Sequence, residues 1–339
     1  MHPQPPRARS RAARSRALPA AAAALALAAA VAGCGYAAPS GSQDRAASRT
    51  APGGPPPGRG KVLMPSGPAA ALTKARDTAA GPILLTTLYG AKSGVTGKVW
   101  VWLPPQYHDP AYASHGFPVL TLYSGGQSAG YNTWTDDQLP VQEIDDRLAK
   151  EGRAHPFILV MPVQNLDAAE SKALECSDIP GRPRMGTWMA EDVPDFVRAN
   201  FRTVRGRDGW GLMGASTGAF CSAKLALQHP DVFRAAVPID GYYDPDSPLW
   251  KGHEQERRAN SPRELVAQGR ADVRMLATAG GANRYETGLV KAWVKRAVLP
   301  VTVEYYEQPG GKHLTSDFGR MIPVALEWLS RNLTGPQRG

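Results

Sequence analysis

Ser216 is the side chain whose neighbours best equip it to act as a nucleophile. It lies in Gly214-Ala215-Ser216-Thr217-Gly218, between the apolar run Trp210-Gly211-Leu212-Met213 and a helical pattern from Ala219 to His229. A strand, a tight turn and a helix in that order set the hydroxyl on a sharp bend at a strand end, and the flanking glycines let the backbones approach closely. A serine hydroxyl at its free pKa attacks poorly, so it needs a histidine to take its proton and an acid to orient that histidine. Of the seven histidines, only His313 follows the last expected strand. His2 lies in the N-terminal leader, His108, His115 and His155 precede the serine, His229 ends the following helix, and His253 falls in the charged stretch Lys251 to Arg258. The chain order serine, acid, histidine therefore selects His313.

The acid should lie between a strand over Arg274 to Thr278 and His313, which leaves Glu286, Glu304 and Glu307. Glu304 falls inside the next strand and Glu307 at its end, whereas Glu286 opens a helix after the loop Gly280 to Tyr285, so Glu286 is the favoured acid. Asp240 and Asp244, beyond the preceding strand, are the alternatives. Acyl transfer also needs two backbone donors for a developing oxyanion. One is the Thr217 amide, directly after the nucleophile. The other should come from the loop after Val119 to Tyr123, where Gly125 and Gly126 free the backbone to approach a substrate.

The elements that must hold these groups alternate. Strands are expected at Leu84–Leu88, Lys98–Leu103, Val119–Tyr123, Phe157–Pro162, Trp210–Met213, Ala235–Ile239, Arg274–Thr278 and Val301–Tyr306. Helices are expected at Val141–Lys150, Glu191–Phe201, Ala219–His229, Thr287–Ala297 and Arg320–Leu333. The first two strands read as an antiparallel pair, and the rest imply a mostly parallel sheet covered on both faces, an α/β fold. No internal repeat is visible.

The N-terminus carries an export signal. Arg7, Arg9, Arg11, Arg14 and Arg16 precede an alanine- and leucine-rich stretch, Ala17 to Ala32, with small residues Val31-Ala32-Gly33 ahead of Cys34. Val-Ala-Gly-Cys resembles the lipobox of bacterial lipoproteins, which implies that Cys34 becomes the lipidated first residue of a mature chain anchored to the cell membrane outside the cytoplasm. Ordinary secretion after cleavage at a nearby Ala-x-Ala site is the alternative. Removing residues 1–33 takes five arginines and no acid, so the formal charge falls from +9 to +4. The remaining charge shows no interleaved basic and aromatic patch and excludes a nucleic-acid partner. Residues 34–81, rich in Ala, Gly, Pro and Ser, read as a tether, which leaves residues 82–335 as one catalytic domain with an ample core. Cys176 and Cys221 remain, and in an exported chain a disulfide between them pins a polar loop over the helix beside the nucleophile; two separately buried thiols are the alternative.

The stretches Lys98-Val99-Trp100-Val101-Trp102-Leu103-Pro104-Pro105-Gln106-Tyr107 and Pro118-Val119-Leu120-Thr121-Leu122-Tyr123-Ser124-Gly125-Gly126, the serine turn with its helix running to His229-Pro230-Asp231-Val232-Phe233, and Gly310-Gly311-Lys312-His313 together resemble the esterase D family of α/β-hydrolases. That group includes feruloyl esterase domains and the actinobacterial trehalose mycolyltransferases. The stretches around Cys176 and Cys221 and the phrase Tyr131-Asn132-Thr133-Trp134 are most similar to its exported actinobacterial members. The resemblance implies an α/β-hydrolase fold, a serine esterase acting on a small-molecule, lipid or glycan ester, a glutamate at the position of Glu286, and the Gly126 amide as second oxyanion donor. It leaves open an acyltransferase using the same acyl-enzyme, and a catalytically silent binding module. The mycolyltransferases carry an acidic residue where this chain has Ser124-Gly125-Gly126, which weakens trehalose as the acceptor. No metal cluster, P-loop or dinucleotide fingerprint is present, so neither a cofactor nor a metal is expected.

Overall fold

Strands buried on both faces read as continuous apolar runs, and five such runs form the middle of one nine-stranded sheet in the computed structural model, which describes residues 60–126, 129–166 and 173–339. In chain order the strands are β1 (Thr73–Thr78), β2 (Gly81–Tyr89), β3 (Thr96–Trp102), β4 (Val119–Tyr123), β5 (Ile158–Pro162), β6 (Trp210–Ala215), β7 (Ala235–Ile239), β8 (Arg274–Gly280) and β9 (Thr302–Gln308). Their order across the sheet is β9-β8-β7-β6-β4-β5-β3-β2-β1. Pairings from β9 through to β5 are parallel. From β5 through β3 and β2 to β1 they are antiparallel, so the expected pairing of β2 with β3 is present.

Helices flank the sheet: α1 (Val141–Lys150), α2 (Val193–Asn200), α3 (Thr217–Gln228), α4 (Arg284–Val294) and α5 (Thr315–Asn332). The expected helix from Glu191 is entered through a π-helical turn, Trp188–Asp192, so α2 itself begins at Val193. Helix α3 is buried over almost its whole length, Lys224 included, because it packs on β6, β7 and β4 at once.

Strand pairing extends beyond both limits expected for the domain. Val62–Leu63 pairs antiparallel with Thr203–Val204, some twenty residues ahead of residue 82, and β1 adds an edge strand. At the other end Gln337–Arg338 pairs with His115–Gly116, beyond the expected limit of 335. The leader, Cys34 and the first part of the expected tether lie outside the described residues. No described helix is long and apolar enough to cross a membrane.

Candidate active site

Strand β6 ends at Ala215 and α3 begins at Thr217, so Ser216 alone makes the turn, with φ 56° and ψ −116°. This conformation is costly for a residue with a Cβ and persists only where the surroundings fix it. Here the Ser216 N–H donates to the Ile239 carbonyl at 2.9 Å, and its carbonyl accepts from Ala219 N–H at 2.9 Å. The two glycines are required by close approach: a Cβ on Gly214 would run into the Gly218 carbonyl, and one on Gly218 into the Tyr123 carbonyl.

His313 reaches this serine from the loop between β9 and α5. Its Nε2 lies 3.0 Å from Ser216 Oγ, and its Nδ1 lies 3.2 Å from Asp240 Oδ2. The ring stands edge-on to Phe318, with centroids 5.0 Å apart and planes at 87°. Its loop is held by Asp317, whose Oδ2 accepts the Lys312 N–H at 2.6 Å. The hydrogen bond with Asp240 raises the His313 pKa, burial opposes that, and the charges of Asp240 and Glu286 add to it.

The acid candidates separate clearly in space. Asp240 follows β7 directly, has φ 50°, and is fully buried, with Oδ1 accepting the Gly280 N–H at 3.3 Å. Glu286, the residue favoured from sequence, comes to 3.5 Å of the same His313 Nδ1 from the first turn of α4, and burial first, then the Asp240 charge, raises its pKa. The hydrogen bond itself goes to Asp240, because its position at the strand end places its carboxylate beside the ring without a long side chain. Asp244 is engaged elsewhere, accepting from Ser261 Oγ and pairing with Arg263. Glu307 pairs with Lys291 and accepts from Tyr305, and Glu304 is exposed on β9. The loops bearing Glu286 and His313 are tied together, with Gly281 N–H donating to Gln308 O at 2.9 Å and Ala282 N–H to Gly311 O at 2.8 Å.

The residues expected to donate to an oxyanion lie on either side of Ser216 in the fold. Thr217 is the first residue of α3, where helical N–H groups have no intrahelical acceptor. Gly126 has φ +65° and opens onto empty space, next to Gly125 at the Ser216 turn. The end of β4 that leads into the Gly125-Gly126 loop is braced from Asn132 and Trp134. Asn132 Nδ2 donates to Leu122 O and Pro162 O, and Trp134 Nε1 donates to Tyr123 O at 2.7 Å. A cleft of about 440 Å³ opens over Ser216, walled by Gly126, Tyr131, Leu139, Leu314 and Phe318. A larger cavity of about 570 Å³ near Lys224, Gln228 and Arg270 contains none of the reacting groups. The described residues hold one set of three potential metal-ligand atoms, those of Asp240, Glu286 and His313, the same groups that gather at the Ser216 turn.

Sequence reasoning paired Cys176 with Cys221, and the structure has that disulfide, with Cα atoms 5.8 Å apart. It missed Glu175. This carboxylate is 2 % exposed. It accepts from Tyr242 OH, Asp246 N–H, Ser247 N–H and Trp250 Nε1–H, so it fixes the loop that follows Asp240. It also missed Lys224, whose Nζ donates to the Glu175 and Cys176 carbonyls at 3.2 and 2.6 Å. A lysine on a helix otherwise made of small and apolar residues is the signal that could have flagged the second of these.

A family model described as "Putative esterase" matches residues 93–316. An uncharacterized protein of Corynebacterium glutamicum is 23% identical over 207 residues, covering 57% of this chain and 46% of that protein, so the chain spans under half the length of this relative. Among solved structures, a ferulic acid esterase aligns with TM-score 0.61 at 17% identity, covering 74% of this chain and 98% of that one. An S-formylglutathione hydrolase from Agrobacterium tumefaciens aligns with TM-score 0.62 at 16% identity, covering 78% and 99%. A fluorophosphonate-binding serine hydrolase of Staphylococcus aureus aligns with TM-score 0.56 at 16% identity, covering 73% and 98%. The architecture is the α/β-hydrolase fold, and with its family model spanning residues 93–316, Ser216 turn and His313 loop included, the chain belongs to the esterase family.

Proposed function

We propose that this esterase is a serine hydrolase in which Ser216 is the nucleophile and His313 the base. The observation that carries the reading is the single imidazole bridging Ser216 Oγ at 3.0 Å and a buried carboxylate at 3.2 Å. In acylation, Ser216 Oγ bonds to the ester carbonyl carbon as its proton passes to His313 Nε2. The oxyanion sits between the Thr217 and Gly126 amides. Collapse expels the alcohol, which takes the proton from Nε2, and leaves an acyl-serine. Water then attacks that acyl carbon, giving its proton to Nε2, and the acid leaves as Ser216 recovers its proton. Asp240 keeps Nδ1 protonated and stabilises the imidazolium in both halves.

The same reading places the enzyme outside the cytoplasm, held to the cell membrane through lipidated Cys34; the support is the arginine-rich leader and the Val31-Ala32-Gly33-Cys34 stretch. Mass spectrometry of the native membrane fraction should find a diacylglyceryl group on Cys34, and an unmodified N-terminus downstream of it in the medium overturns the anchor. The catalytic reading is tested with p-nitrophenyl esters of increasing acyl length, with and without an added alcohol. Steady p-nitrophenol release by the wild type and none above background by Ser216→Ala is the expected result. Acyl transfer to the alcohol in preference to water would make the enzyme an acyltransferase.

A further inference from the structure

We infer that the acid of this site is a pair of carboxylates, Asp240 and Glu286, sharing the one Nδ1–H of His313. The inference rests on the serine-hydrolase reading above and goes beyond it in giving both residues a part in the reaction.

The two arrive from different elements, Asp240 from the end of β7 and Glu286 from the start of α4, and converge on one nitrogen at 3.2 and 3.5 Å. Their surroundings divide the work. Asp240 has its second oxygen occupied by the Gly280 N–H, which fixes its plane, so it holds the ring in one tautomer and one orientation. Glu286 is held less tightly: the Asn283 side chain bonds its carboxylate, but its Oε2 is buried without a hydrogen bond, and among the described residues its one ion pair is with His313. A carboxylate oxygen kept from water and left unpaired is unfavourable. At this site the cation that can relieve it is the imidazolium, which forms when His313 takes the Ser216 proton. Glu286 is therefore better compensated in the transition state than in the resting enzyme, and a contact that strengthens along the reaction coordinate accelerates it.

The other titratable groups near the imidazole leave this balance in place. Lys312 lies on its own loop, and Asp317, in the first turn of α5, accepts the Lys312 N–H and pairs with Arg320. Burial raises the phenols of Tyr243 and Tyr305, so both stay neutral, and the Tyr305 hydroxyl donates to Glu307.

The test is kcat/KM against pH for the full chain and for Asp240→Asn, Glu286→Gln and the double variant, with p-nitrophenyl butyrate. Asparagine tolerates the left-handed backbone at position 240, and Glu286 is at the surface end of its helix, so both variants keep the fold; circular dichroism verifies it. Each single variant should lose about 10–100-fold and the double about 10⁴-fold, the cost of an imidazole with no carboxylate behind it. The base must be neutral, and each carboxylate holds its pKa up. Removing either charge therefore moves the acid limb to lower pH, and removing both moves it further. If one single variant is as inactive as the double while the other matches the wild type in rate and acid limb, one carboxylate suffices and the pair is refuted. If Ser216→Ala retains activity, the serine-hydrolase reading fails, and the pair fails with it.

Discussion

Two glutamates flank the nucleophile helix and live in opposite surroundings. Glu175 is sealed beneath the disulfide loop, and both of its oxygens are hydrogen-bonded, one by Trp250 Nε1 at 2.6 Å and the other by three donors of the 242–247 loop. Glu286 sits beside His313, with one oxygen toward Nδ1 and the other buried without a hydrogen bond. Burial pushes Glu175 up to about 7, the nearby Asp246 carboxyl pushing the same way, while its donors pull it down. The contrast separates a carboxylate that builds the site from one that acts in it. Four donors around Glu175, two of them backbone amides, fix the segment from Tyr242 to Trp250 that follows Asp240, so the position of Asp240 depends on a residue outside the cleft. The disulfide and Lys224 hold Glu175 in turn, because Cys221 and Lys224 stand on α3, the helix that Ser216 begins.

The contrast can be broken most forcefully at the base. His313→Ala should lower kcat by several orders of magnitude with little change in melting temperature, since the ring is half-exposed and its loop is held by Asp317. Initial rates and thermal melts of one preparation check this. Glu175→Ala should do the reverse first. It leaves four donors unsatisfied and should cost about 3–5 kcal/mol of stability by urea denaturation, whereas Glu286→Ala should change stability by less than about 0.5 kcal/mol. Equal stability losses in the two would erase the distinction between them.

Replacing both Cys176 and Cys221 by serine should cost about 2–4 kcal/mol, as expected for a cross-link across 45 residues. Activity should fall through the loosened Asp240 loop, with the rate restored least at high temperature. A smaller effect is pH-dependent. With its folded pKa raised to about 7, Glu175 keeps its proton in the native state while the unfolded chain has already lost it above about 4.5. Its contribution to stability therefore declines as pH rises from 4.5 to 7. In Glu175→Gln that part of the slope should vanish, which urea midpoints at pH 5 and pH 7.5 measure.

The nucleophile turn was legible because its signals are local: an apolar run, two glycines around a serine, and a helical pattern, all within twenty residues. His313 was legible through chain order. The acid was harder, since Glu286 and Asp240 both satisfy the order rule or its near variant, and only the fold shows that strand ends β7 and β8 bring both to one ring. Glu175 was illegible for a plainer reason. Its partners lie 67–75 residues downstream, and nothing in Leu174-Glu175-Cys176 distinguishes a buried keystone from a loop acid. Edge strand β1, Thr73-Lys74-Ala75-Arg76-Asp77-Thr78, escaped because it pairs on one side and faces water, so it carries charge where a central strand carries valine.

The central claim is that Ser216 is activated by His313. Incubation of the full chain with a fluorophosphonate, followed by peptide mass spectrometry, tests it most directly. The account predicts one adduct on Ser216 in the wild type, and little or none at the same exposure in His313→Ala. Labelling at another residue, or undiminished labelling of Ser216 without His313, would contradict it.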